Sequence, residues 1–116
     1  MRFIVLVLAG MLIGCGGWDS EKSLNALDDQ ELEALCVHFY ELNGGAPREE
    51  ACTGDSGDYT AVLGTKEAEV ATCKAKERPA CATRLLEECV TSLNGSLCAD
   101  NSTPACVTYV NCELGQ

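Results

Sequence analysis

Apolar positions along this chain fall into one unbroken run and four periodic stretches. The run, Phe3 to Gly14, carries no charge and follows a single cation, Arg2. As a helix it would span roughly 18 Å, whereas a bilayer core asks for about twenty apolar residues. One cation, a short apolar segment and small residues at its end have the layout of a secretory signal peptide.

The first periodic stretch is "DDQELEALCVHFYELNGG". Leu32, Leu35, Cys36, Phe39 and Leu42 recur at three- and four-residue steps and share one helical face. Asp28, followed three residues later by Glu31, resembles a capping box. Gly44 and Gly45 suit a helix stop, and Pro47 lies just beyond. The pattern predicts a helix over about 29–43, with Leu24 and Leu27 available to pack before its cap. Thr65 then offers a cap for a helix whose apolar face is mainly Val70 and Cys73. Arg78 precedes Pro79, which pushes it out of the α region and ends or kinks that helix.

In "PACATRLLEECVTSLNG", Leu85, Leu86, Cys89, Val90 and Leu93 form a stripe that starts at Pro79 or Thr83 and ends by Gly95. In the last stretch Thr103 is a cap and Pro104 takes the favoured first helical position. There Cys106, Val107, Val110 and Leu114 share a face, flanked by Tyr109. Residues 46–64, "APREEACTGDSGDYTAVLG", are rich in glycine and acid. They read as a long loop stapled through Cys52, in which "DYTAVLG" is the one segment able to form a strand. The expected fold is all-α, small and disulfide-rich: four short helices and one long stapled loop.

Cysteine usage adds a compartment. The nine cysteines stand at 15, 36, 52, 73, 81, 89, 98, 106 and 112. Leu12, Ile13, Gly14 and Cys15 resemble the lipobox of bacterial lipoproteins, where aliphatic and small residues precede the cysteine. The resemblance implies a diacylglyceryl group on the Cys15 thiol, cleavage just before Cys15, and acylation of the amine thereby exposed. These covalent lipids are the only cofactor-like groups expected. A single acyl chain holds a protein to a bilayer marginally, while two or more make attachment stable. Removing Cys15 leaves eight cysteines, an even set able to form four bridges, and export puts them where bridges persist. The domain organisation expected is a signal peptide at 1–14, the lipid site and a flexible tether at 15–27, and a stapled helical domain at 28–116. Trp18 in the tether could sit at headgroup level or pack on the domain.

Eight cysteines allow 105 connectivities. Bridged Cα atoms lie within about 7 Å, which removes Cys81–Cys89, about 12 Å apart on one helix, and Cys106–Cys112, about 9 Å apart. An antiparallel hairpin of the last two helices brings Cys81 to Cys112 and lets Cys98–Cys106 close the connecting loop. Cys36–Cys89 would join two core faces, and Cys52–Cys73 is what remains. Cys89–Cys106, across the same hairpin, is the rival arrangement. The stretch "LLEECVTSLNGSLCADNSTPACVTYVNC", with the earlier "LEALC" helix, resembles small cysteine-rich lipoproteins of myxobacteria and related lineages. That resemblance implies an exported, bridged protein and no particular activity.

The chain has eight Lys and Arg against eighteen Asp and Glu, a formal charge of −10. Without Arg2 it falls to −11. Such a balance argues against nucleic acid and against adsorption to anionic headgroups. It leaves a well-solvated surface or a basic protein partner. His38 is the only histidine and borders the apolar stripe of its helix. No nucleophile elbow or phosphate loop occurs. The lack of any C-x-x-C pair removes both the usual zinc spacing and a thiol-redox pair. No catalytic residue and no metal site are expected, and the chain is not read as an enzyme.

Asp55 and Asp58 in "TGDSGDY" are the remaining calcium candidates. Their spacing is not that of an EF-hand, and a Gly/Asp turn accounts for it. Asn94 and Asn101 fall in N-x-S/T sequons, which carry no implication for a bacterial lipoprotein. The expectation is a membrane-anchored interaction or envelope-structural module. The alternative is a small-ligand or cation binder using the acidic 46–64 loop. Gly16, rather than aspartate, follows Cys15, a pattern that points to the outer membrane of the cell envelope.

Overall fold

A computed structural model describes residues 17–98 and 103–115. The elements run α1 (Asp29–Leu42), β1 (Arg48–Gly54), β2 (Gly57–Leu63), α2 (Lys66–Ala75), α3 (Thr83–Ser92) and α4 (Pro104–Glu113), after a single 3-10 turn at Leu24–Ala26. The four expected helices are present. The all-α reading is corrected, because residues 48–63 form a two-stranded antiparallel sheet.

The hairpin forms where glycine and acid were read as loop. Asp55 and Ser56 make a two-residue turn between the paired Gly54 and Gly57. Gly57 has φ +120°, a conformation open to glycine and strained for other residues. Thr53, Tyr59, Thr60 and Val62 suit extended backbone. The strands carry no alternating apolar signal because both faces are largely exposed; only Cys52 and Leu63 are buried. A lone two-stranded hairpin is marginal in water, so its anchors hold it. One is Tyr40, whose hydroxyl donates to the Gly64 carbonyl at 2.9 Å.

Helix α1 is fixed at its start by a complete capping box. Asp28 Oδ1 accepts from the Glu31 amide at 2.8 Å, and Glu31 Oε1 accepts from the Asp28 amide at 3.1 Å. At its end Gly44 and Gly45 take φ +117° and +71°, and the Gly45 amide reaches back to the Tyr40 carbonyl at 3.0 Å. Its buried face is Leu32, Leu35, Cys36 and Tyr40. Thr65 caps α2 through the Ala68 amide. Thr103 caps α4 through the Cys106 amide, with Pro104 first in the helix.

Residues 18–27, expected as tether, pack on the domain. Leu24 and Leu27 are buried with Leu32, Leu35 and Cys36 as the central cluster. The backbone before them hydrogen-bonds to the start of α3: the Leu24 amide to the Cys81 carbonyl at 2.8 Å, the Thr83 amide to Lys22 at 2.9 Å and the Arg84 amide to Ser20 at 2.9 Å. Thr83, fully buried, also donates its hydroxyl to the Lys22 carbonyl. Short apolar spacing at Leu24 and Leu27 is enough to seat this segment, since each leucine so buried contributes about 1.5–3 kcal/mol. On α4 only Cys106 of the expected face is buried, while Val107 and Leu114 are exposed.

The four disulfides are Cys36–Cys73, Cys52–Cys98, Cys81–Cys112 and Cys89–Cys106. Cys81–Cys112 is the pair placed by the helical hairpin, and the rival Cys89–Cys106 lies across the same hairpin. Cys36–Cys89, Cys52–Cys73 and Cys98–Cys106 are corrected. Helix α2 lies along α1, so Cys73 meets Cys36 and leaves Cys89 opposite Cys106. Strand β1 turns Cys52 towards the segment after α3, where Cys98 stands.

Candidate functional site

Cys15, the expected lipid attachment point, and the leader 1–14 lie outside the described residues, as does Asn101. Asn94 sits in the turn after α3 with φ +54°.

Strand β1 carries the densest polar cluster. Glu50 accepts from the Leu97 amide at 2.9 Å, from Ser96 Oγ at 3.3 Å and from Arg48 Nη1 at 3.4 Å. Arg48 also donates through Nε to the Asn43 carbonyl at 2.8 Å and through Nη2 to the Gly95 carbonyl. The Leu97 amide, then Ser96 and Arg48, hold the Glu50 carboxyl below the ordinary carboxylate range. Ligand atoms of Glu50, Cys52 and Cys98 lie within 4.8 Å of one another, the one such group among the described residues. Both sulfurs belong to a single disulfide. They offer no thiolate, and the Cys98 sulfur 3.4 Å from Glu50 Oε2 is a contact without a hydrogen to donate. The cluster therefore works as a fastening between hairpin and turn.

The calcium candidates are placed in and beside the hairpin turn. Asp55 and Asp58 are both exposed, and among the described residues they are not gathered with a third carboxylate. His38 is half-buried on α1, its ring 5.2 Å from Trp18 and 6.2 Å from Phe39. It serves as part of an aromatic patch that fixes the segment before α1.

A cleft of about 510 Å³ opens between α1, α3 and α4. Its floor is Leu24, Leu32 and Leu35, and its walls include Phe39, Leu86, Val90, Leu93, Leu97 and Tyr109. The floor is buried and the walls are half-buried. The cleft follows from how the bridges are distributed. Cys36–Cys73 ties α1 to α2, while Cys89–Cys106 and Cys81–Cys112 tie α3 to α4. No bridge joins α1 directly to α3 or α4, so the two pairs meet along an unclosed seam. The volume falls within the 300–1,000 Å³ of small-molecule sites. Charged groups on the lining are Lys76, Glu77, Arg78 and Glu113. Burial, then the Glu113 charge, raises the Tyr109 hydroxyl above its ordinary pKa, keeping it neutral.

Sequence reasoning found the apolar faces of α1 and α3 but treated them as one closed core. The signal for the cleft was "KAKERP", cations beside a helix break between two apolar stripes. Among the described residues no helix is long and apolar enough to cross a membrane. Comparison with family models, curated proteins and solved structures found no match to this chain.

Proposed function

We propose that this protein is an exported lipoprotein, held to a membrane of the bacterial cell envelope by lipid on Cys15 and acting there as a non-enzymatic interaction or structural module. One observation carries the reading. The eight cysteines from Cys36 to Cys112 pair completely, and the ninth is the one that ends the lipobox-like "LIGC". Four bridges in so small a domain fit an oxidising compartment. The excess of carboxylates supports a basic protein as the partner, and Gly16 after Cys15 supports outer-membrane placement.

Intact mass spectrometry of the chain purified from membranes tests the reading. The expected mass begins at Cys15, carries acyl and diacylglyceryl groups, and lacks eight cysteine hydrogens. Cys15→Ser should abolish lipidation and move the protein out of the membrane fraction. A full-length, unlipidated chain would refute it.

The second reading, small-ligand binding, is favoured by the cleft rather than by residues 46–64, whose hairpin leaves Glu49, Asp55 and Asp58 in water and ties Glu50 to the turn after α3.

A further inference from the structure

The cleft has the shape of a site for one small molecule. Its volume, about 510 Å³, falls within the range of small-molecule sites. Its walls are alkyl and aromatic, which selects an apolar body.

The polar end is set by Arg78. Three arginines lie in the described residues. Arg48 pairs with Glu50, and Arg84 pairs with Glu21 and Glu88. Arg78 is half-buried and donates only through Nε, to the Leu24 carbonyl at 3.2 Å. No described carboxylate lies within ion-pair distance of it. In a chain with eighteen carboxylates, an arginine left without a described one on the lining of an apolar cleft is informative. Lys76, on the same lining, likewise has no described carboxylate partner, while Glu77 and Glu113 are exposed to solvent. Guanidinium groups bind carboxylates through paired N–H donors, and the two Nη groups of Arg78 supply them. The overall negative charge is screened beyond about 8–10 Å at physiological salt, so the nearest cations decide which headgroup is accepted.

We propose that the cleft binds a free single-chain carboxylate amphiphile of the fatty-acid class. Its tail lies against Phe39, Leu86 and Tyr109 and its carboxylate on Arg78. The inference is independent of lipid attachment at Cys15, and its test keeps the two apart.

The full chain carrying Cys15→Ser, which no lipid can modify, is titrated by calorimetry with dodecanoate, dodecanol and dodecylammonium below their micelle concentrations. Dodecanoate is expected to bind saturably, one per chain, and tighter than the other two. From octanoate to dodecanoate, affinity should rise by up to about fourfold per methylene. Arg78→Gln should weaken dodecanoate about tenfold or more and leave dodecanol unchanged. Lys76→Gln, at an exposed position, should weaken it by up to about fivefold, and this variant serves if the other fails to fold. Absence of saturable dodecanoate binding, equal affinity for the three headgroups, or a folded Arg78→Gln that binds dodecanoate as tightly as the parent would each overturn the proposal.

Discussion

Replacing Cys52 and Cys98 together by alanine removes the bridge that fastens the hairpin to the segment after α3. The bridge closes a separation of 46 residues. Loop-closure entropy for that length amounts to about 4.0 kcal/mol at 25 °C. The other bridges hardly reduce it. The covalent detour from Cys52 runs sixteen residues back to Cys36, crosses to Cys73, runs eight on to Cys81, crosses to Cys112 and returns fourteen to Cys98. A path of 38 residues still costs about 3.9 kcal/mol to close. Since 1 kcal/mol moves the Tm of a domain this size by about 4–8 °C, the variant should melt about 15–30 °C lower. Thermal unfolding followed by circular dichroism reads the shift, with mass spectrometry confirming the three remaining bridges. A shift below about 5 °C would refute the view that chain entropy, fixed by these bridges, stabilises the domain.

Other outcomes follow from single groups. Asp28→Ala removes the side-chain half of the capping box, the acceptor for the Glu31 amide, and should destabilise the chain by about 1 kcal/mol, read as a Tm about 4–8 °C lower. Gly95→Ala places a Cβ 3.2 Å from the Leu42 carbonyl at φ +81° and should cost about 1–3 kcal/mol in urea unfolding. Glu31 is held below the ordinary carboxyl value of 4.5 by the Lys22 ammonium and the Asp28 amide, and Glu50 by the Leu97 amide, Ser96 and Arg48. Their stabilisation is complete above about pH 4.5 and is lost as pH falls through the depressed folded values. Tm measured from pH 7 down to 2.5 should therefore fall less steeply in Glu50→Gln than in the parent; parallel curves would contradict the network.

Three helices were legible from their own punctuation: Asp28 and Glu31, Thr65, and Thr103 before Pro104 all cap where spacing placed them; α3, which follows Ala82 without a side-chain cap, was legible from its apolar stripe alone. The hairpin was half legible: "DYTAVLG" was read as able to form a strand and supplies β2, but β1 was not, since the strands have no buried face to impose alternation. Its only strong cue was the two-residue turn Asp55–Ser56 between glycines. That one miss propagated into the bridges. Without β1 there was no reason to carry Cys52 across to Cys98, and Cys73 was then taken from Cys36. Packing of Leu24 and Leu27 before the α1 cap was legible from their spacing and is found; the docking of the segment from Ser20 to Leu24 was not, since it depends on backbone partners at 81–84 that no local pattern announces. The cleft was not read from the apolar pattern, because periodicity reports which side chains avoid water and not whether they meet; the cations of "KAKERP" were its one cue.

The bridges overlap like links of a chain: 36 to 73, 52 to 98, 81 to 112. Any single peptide bond between Cys36 and Cys112 is spanned by at least one of them, so a protease can nick this stretch once without releasing a fragment. From Cys73 to Cys81 that security rests on Cys52–Cys98 alone. A cut after Lys76 would then be silent in the native protein and would sever it in two once that bridge is lost.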